Sequence, residues 1–182
     1  MKKDQITYVA LLRGINVGGN HIVRMEELRK AFKVAGYSNI STLLATGNVI
    51  FDSPSEDLEE LTDSLEIFLK KRFGFEIPVL LRTMDNLKKL HNSEPFKGIK
   101  VTNETRFYVS FLSEPKKASI PIPYESEGGF FRILSATPEI VCSVLIVSPT
   151  SDTVKLMNTI ERVYGKRVTT RNWNTIKKLV AL

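Results

Sequence analysis

Between Ile6 and Arg82, four short runs of strand-forming residues alternate with two stretches of helical spacing, and few folds accept that order. Ile6–Leu12 is an apolar run of strand length. Met25, Leu28, Phe32 and Ala35 then recur at helical spacing, with Gly36 as a stop. Ile40–Leu44 and Val49–Phe51 flank Ala45-Thr46-Gly47-Asn48 and read as a hairpin. Ser53-Pro54-Ser55-Glu56 opens a second helix with serine as its cap, and Glu56, Asp57, Glu59 and Glu60 lie at the positive end of its dipole. Leu58, Leu61, Leu65, Phe68 and Leu69 form its apolar stripe, and Gly74 ends it. Ile77–Arg82 returns as a strand, with Pro78 at its start or on a sheet edge. The sequence predicts β-α-β-β-α-β, the split βαβ or ferredoxin-like order.

Met84–Leu90 reads as a short linking helix, and the polar, irregular stretch His91–Asn103 as a boundary. The expected organisation is an α/β chain of the α+β type with mainly antiparallel sheets. It has two ferredoxin-like halves, residues 1–91 and 92–182, the second carrying a terminal helix. In that half, Arg106–Leu112, Phe130–Leu134 and Ile140–Val147 read as strands, and Glu114–Gly129, with three prolines and two glycines, as a loop. Ser151 and Asp152 are expected to cap a helix with the stripe Val154, Met157, Ile160 and Val163, closed by Gly165. A basic stretch, Lys166–Thr169, precedes a last helix from Trp173. The second half is thus a degenerate strand-loop-strand-strand-helix-strand copy of the first.

At 182 residues the chain can bury a core without disulfide or metal staples. Its 42% hydrophobic and 25% charged residues exclude disordered and collagen-like classes. No apolar run approaches the roughly 20 residues of a membrane span, so no membrane association is expected. The net charge is +6. Residues 1–91 are nearly balanced, whereas Lys155, Arg162, Lys166, Arg167, Arg171, Lys177 and Lys178 face Glu161 alone in the last 28 positions. Such a field attracts anions, and its plainer reading is a solvated basic helix face. The one cysteine, Cys142, sits in an apolar strand as a small buried hydrophobe. It fits a reducing compartment, and with no signal peptide legible after Met1-Lys2-Lys3-Asp4 the expected location is the cytoplasm.

Two segments carry the candidate chemistry. The first is Arg13-Gly14-Ile15-Asn16-Val17-Gly18-Gly19-Asn20, between a strand and a helix. Gly14, Gly18 and Gly19 let backbone N–H groups turn toward an anion, Arg13 can grip it bidentately, and Asn16 can donate hydrogen bonds. The P-loop pattern fails, because Asn20 and His21 replace its Lys and Ser/Thr, and the glycine spacing misses the dinucleotide fingerprint. The alternative is a loop whose glycines serve positive φ or close packing. The second segment is Thr169-Thr170-Arg171-Asn172-Trp173-Asn174-Thr175, opening the last helix with Thr170 or Asn172 as cap. Arg171 at a helix start opposes the dipole and becomes sensible beside an anion. Trp173 either anchors the helix or stacks on a planar ligand. Two histidines and one cysteine, scattered, make no transition-metal site, and no cofactor is implied. No nucleophile is paired with a base, so no reaction can be named.

Val9–Gly19, Met25, Leu28-Arg29, Thr46-Gly47-Asn48-Val49 and Thr169–Thr175 resemble the bacterial family called domain of unknown function 1697 over nearly the full chain. Members commonly have Ser-Gly-Asn where this chain has Thr46-Gly47-Asn48. The resemblance implies two ferredoxin-like halves and supplies no activity.

The leading functional expectation is a small phosphorylated or otherwise anionic ligand, such as a sugar phosphate or nucleotide. Arg13 and Arg171 would neutralise it, Gly14–Asn20 would cradle it, and Asn16, Asn48 and Asn172 would orient it. The alternatives are a nucleic-acid binder using the basic C-terminal segment and a structural or interaction module. The exposed aromatic pattern of an RNA-recognition strand is missing from Gly47–Phe51.

Overall fold

The computed structural model describes residues 5–54, 57–148 and 153–182. The chain forms two compact units, Met1–Leu87 and Lys88–Leu182. Each has its own antiparallel sheet, and the described residues include five α-helices, so the fold is mixed α/β.

The first unit runs β1 (Gln5–Leu12), α1 (Met25–Val34), β2 (Ser38–Leu43), β3 (Asn48–Pro54), α2 (Leu58–Phe73), β4 (Val79–Thr83) and on into α3 (Met84–Asn92). This is the β-α-β-β-α-β order read from the sequence. The strands lie in the order β2-β3-β1-β4, so β1 is central. It pairs antiparallel with β3 (Tyr8↔Phe51, Ala10↔Val49) and with β4 (Leu12↔Val79). A strand covered on both faces needs apolar residues at consecutive positions, and Tyr8 to Leu12 are all buried. Tyr8, Ala10, Leu12, Val49 and Phe51 share one core with Leu28, Ala31 and Phe32 of α1 and Leu61, Leu65 and Leu69 of α2.

The start of α2 differs from expectation. Ser53 and Pro54 stay in β3, paired with Ile6 and Gln5, because β1 reaches far enough to hold them. Asp57 caps the helix instead, its side chain accepting from the Glu59 and Glu60 amides at 2.8 and 3.2 Å. Ser55 and Glu56 lie outside the described residues. Gly74 closes α2 in the left-handed conformation, its amide donating to Lys70.

The second unit runs β5 (Thr105–Leu112), β6 (Tyr124–Glu125), a 3-10 turn (Glu127–Gly129), β7 (Phe131–Ala136), β8 (Ile140–Ile146), α4 (Thr153–Tyr164), β9 (Val168–Asn172) and α5 (Trp173–Val180). Its sheet has the order β6-β7-β8-β5-β9. Three local expectations change. The segment 114–129 contains β6, which pairs with β7 through Tyr124↔Ile133. The strand expected after α4 is β9, which extends past the basic stretch 166–169 to Asn172 because Val168–Asn172 find partners in Tyr108–Leu112. The buried stripe of α4 is Leu156, Ile160, Val163 and Tyr164, while Val154 is 56% exposed. The expected cap at Ser151 and Asp152 lies outside the described residues. The α4 stripe packs with Leu112, Phe131, Ile133, Val141 and Leu145 to form the core of this unit.

Candidate functional site

The glycine-rich segment belongs to the first unit and folds as a miniature hairpin. The Asn20 amide donates to Val17 at 3.2 Å and the Asn16 amide to His21 at 3.1 Å. Gly18 and Gly19 form the tip at φ 60° and 76°, the pair of positive values that a type I′ turn demands. The glycines therefore do not open a helix. α1 begins only at Met25, its cap Arg24 makes no side-chain bond, and Glu26 and Glu27 occupy its first turn. The positive end of that dipole is already met by carboxylates, which removes the reason for placing an anion there.

Two of the asparagines are held within the fold. Asn16 Nδ2 donates to the carbonyls of Val23 (2.9 Å) and Ala45 (2.7 Å), and its Oδ1 accepts from the Val23 amide (2.8 Å). Asn48, fully buried, donates from Nδ2 to the Leu43 carbonyl (2.8 Å) and to Thr46 Oγ1 (3.2 Å). Asn16 thus stitches the hairpin to the β2–β3 turn, and Asn48 closes that turn. Arg13 is half-buried, with its amide donating to the Pro78 carbonyl, and Gly14 is exposed. Asn16→Ala is expected to lower stability by about 2 kcal/mol, since three backbone groups lose partners beside the buried Val23. The readout is the urea midpoint, with affinity for phosphate unchanged.

The second segment is in the second unit, and its residues divide between a strand and a helix. Thr170 Oγ1 lies 2.7 Å from Ser110 Oγ across the β5–β9 pair. Arg171 is paired with Val109 and is not at the helix start, because the ladder continues to Tyr108↔Asn172. The residue is half-buried, and desolvation of its guanidinium pushes the pKa down to about 10. Nη1 donates to the Thr170 carbonyl at 3.0 Å. The electrostatic misplacement expected of Arg171 therefore does not exist. Asn172 caps α5, accepting from the Asn174 amide at 2.9 Å, one of the two caps the sequence offered.

Trp173, the first residue of α5, opens onto a cavity of about 600 Å³. Asn172, Asn174 and Lys177 line it from the same end of the helix. The opposite walls come from His91, Glu94, Phe96, Lys97, Val101, Thr105, Arg106 and Phe107. The His91 imidazole stacks on the indole (centroids 5.7 Å apart, planes 21° apart). Phe96 meets the indole edge-on at 5.2 Å and packs against Phe107 at 4.6 Å. Glu94, the one carboxylate in the wall, is 2.8 Å from Lys97. Arg106 Nη1 donates to the carbonyls of Asn103 (2.7 Å) and Thr105 (3.0 Å), which anchors the guanidinium at the rim. Arg171 does not line this cavity.

Of the residues singled out in the sequence, only Asn172 and Trp173 line the cavity. Lys177 enters from the basic C-terminal field, whereas Phe96, Lys97, Arg106 and Phe107 carried no functional expectation. One pair was findable, because Trp173 and Lys177 stand four apart on one helix face. Phe96 and Lys97 lie in a stretch whose polar irregularity hides its role as a wall. Cys142 is buried, and desolvation raises its thiol pKa, outweighing a lowering bond from Ser135. Among the described residues, no three His, Cys, Asp or Glu side chains cluster to hold a metal, and no helix is long and apolar enough to cross a membrane.

The family described as protein of unknown function (DUF1697) matches residues 6–123. A conserved bacterial protein from Streptococcus pneumoniae has a similar structure, with a TM-score of 0.72 at 20% identity over 98% of each chain. At that identity the likeness concerns the fold. Comparison with curated proteins finds no match.

Proposed function

The chain belongs to the DUF1697 family, and from that premise we propose that its second unit binds a small anionic ligand, a phosphorylated metabolite, in the cavity beside Trp173. One observation carries the reading: with Lys97 already paired to the single carboxylate, Glu94, two further cations, Arg106 and Lys177, line the cavity. Phe96, Phe107 and Trp173 give it apolar walls. Low-dielectric walls strengthen the attraction between a bound anion and the rim cations. Among the described residues Arg106 is bonded through Nη1 alone, so Nε and Nη2 can engage two phosphate oxygens together. The hairpin at Gly14–Asn20 takes a structural role in this reading. The lone cysteine, buried as a thiol, fits work in the cytoplasm.

Trp173 is the sole tryptophan and reports on the site directly. Titration with inorganic phosphate and ribose 5-phosphate at constant ionic strength is expected to change its fluorescence saturably. Arg106→Gln should weaken binding about tenfold, the value of one charge-assisted hydrogen-bond pair. Arg171→Lys, at a residue outside the cavity lining, should change it less than twofold. A flat response from the folded protein would dismiss the anion site. A response that falls steeply with salt and appears only with nucleic acid would favour the basic C-terminal segment as the binding surface.

A further inference from the structure

We infer that the anion taken by this cavity is a nucleoside monophosphate, its base stacked on Trp173 and its phosphate held by Arg106 and Lys177. The inference rests on the anion reading above and narrows it to one ligand class. A sugar phosphate would satisfy the cations and leave the aromatic wall without a partner. That wall is extensive for so small a unit. The indole is faced by one ring, His91, and edged by a second, Phe96, which leans on a third, Phe107. The near-parallel imidazole at 5.7 Å shows that the face of Trp173 accepts a flat aromatic ring. His91 is only half-buried, with a long 3.4 Å contact from Nδ1 to Asn92, so it can swing aside for a base or stack on its far side.

Polar groups for reading a base edge stand beside the platform. Asn172 uses Oδ1 for the helix cap, which leaves Nδ2 to donate, and the side chain of Asn174, an exposed residue, lines the mouth. Lys177 lies one helical turn beyond Trp173, on the same side, where a 5′-phosphate would emerge from a base stacked on the indole. The volume, about 600 Å³, falls in the range of sites that enclose a ligand of nucleotide size. One indole platform suits one base. A polynucleotide strand would call for a row of stacking side chains, as single-strand binders provide.

The test is calorimetry on the full chain at fixed ionic strength. The probes are the 5′-monophosphates of adenosine, guanosine, cytidine and uridine, with ribose 5-phosphate as the ligand that lacks a base. At least one nucleotide is expected to bind about tenfold or more tightly than ribose 5-phosphate, the increment that one base–aromatic stack supplies. Lys177→Gln, at an exposed helix position, should weaken nucleotide and ribose 5-phosphate by the same factor. Trp173→Leu should abolish the advantage of the nucleotide and leave ribose 5-phosphate binding in place. Should that variant fail to fold, the comparison of probes on the unaltered protein still decides. If ribose 5-phosphate binds as tightly as every nucleotide, base recognition is wrong and the anion site stands. If none of the five binds, both readings fall. If mononucleotides are inert and a single-stranded oligonucleotide binds, the site belongs to nucleic acid and the inference is overturned.

Discussion

Phe51→Ala is expected to lower the stability of the protein by about 3–5 kcal/mol, the range for removing a fully buried phenyl ring. Phe51 is 0% exposed and sits on β3 at the centre of an aromatic cluster. Its ring centroid is 4.7 Å from Tyr37, 5.2 Å from Phe32 and 5.7 Å from Tyr8. The void left by alanine cannot close easily. β3 is fixed between β2 and β1, and Phe32 is carried by a helix whose neighbouring Leu28 and Ala31 are also fully buried. Urea denaturation followed by circular dichroism measures the change. A loss below about 1 kcal/mol would show that the neighbouring rings refill the space, contrary to the packing described.

Gly47→Ala is expected to cost about 3 kcal/mol for two separable reasons. Gly47 has φ 80°, where an L-residue is strained by about 1–2 kcal/mol. A Cβ there would stand 2.8 Å from Ile15 Cδ1 and 2.9 Å from Leu12 Cβ, and overpacking adds about 1–3 kcal/mol. Leu12 Cβ has little freedom to retreat. Leu12 belongs to the central strand, and its amide donates to the Gly47 carbonyl at 2.8 Å. Gly36 supplies the control. It has φ 95° and no atom within 4 Å of an added Cβ, so Gly36→Ala should carry the conformational part alone, about 1 kcal/mol. Equal urea midpoints for the two variants would refute the close approach at Gly47.

The two variants also show which motif residues are architectural. Asn48 and Asn16, like Gly14, Gly18 and Gly19, were candidates for ligand contact because glycine and asparagine suit anion loops. Both residue types suit turns for the same reason: they accept positive φ and bond to the backbone. Residue type alone does not separate the roles. The bonds from Asn16 to Val23 and Ala45, and from Asn48 to Leu43, do.

What was legible in the chain follows from interactions of short range. The stripes of α1 and α2, the glycine stop after α2 and the Asn172 cap arise within one or two helical turns, so local spacing records them. The apolar run of β1 records burial on both faces for a similar reason, since each side chain reports its own environment. The register of α4 shows where this ends. Val154 and Leu156 are equally apolar, and only the sheet beneath the helix selects Leu156. β9 marks the same boundary: a strand after α4 was expected, but its extent to Asn172 is set by pairing with β5. By itself, then, the sequence determined the element order of the first unit, the burial of its first strand and membership of a family. Tertiary structure decided the burial of Arg171 and the assembly of the cavity. The cavity walls come from residues 91–107 and 172–177, segments far apart along the chain. Local periodicity is set by the backbone repeat of a single element and carries no information about which distant side chains that element will face.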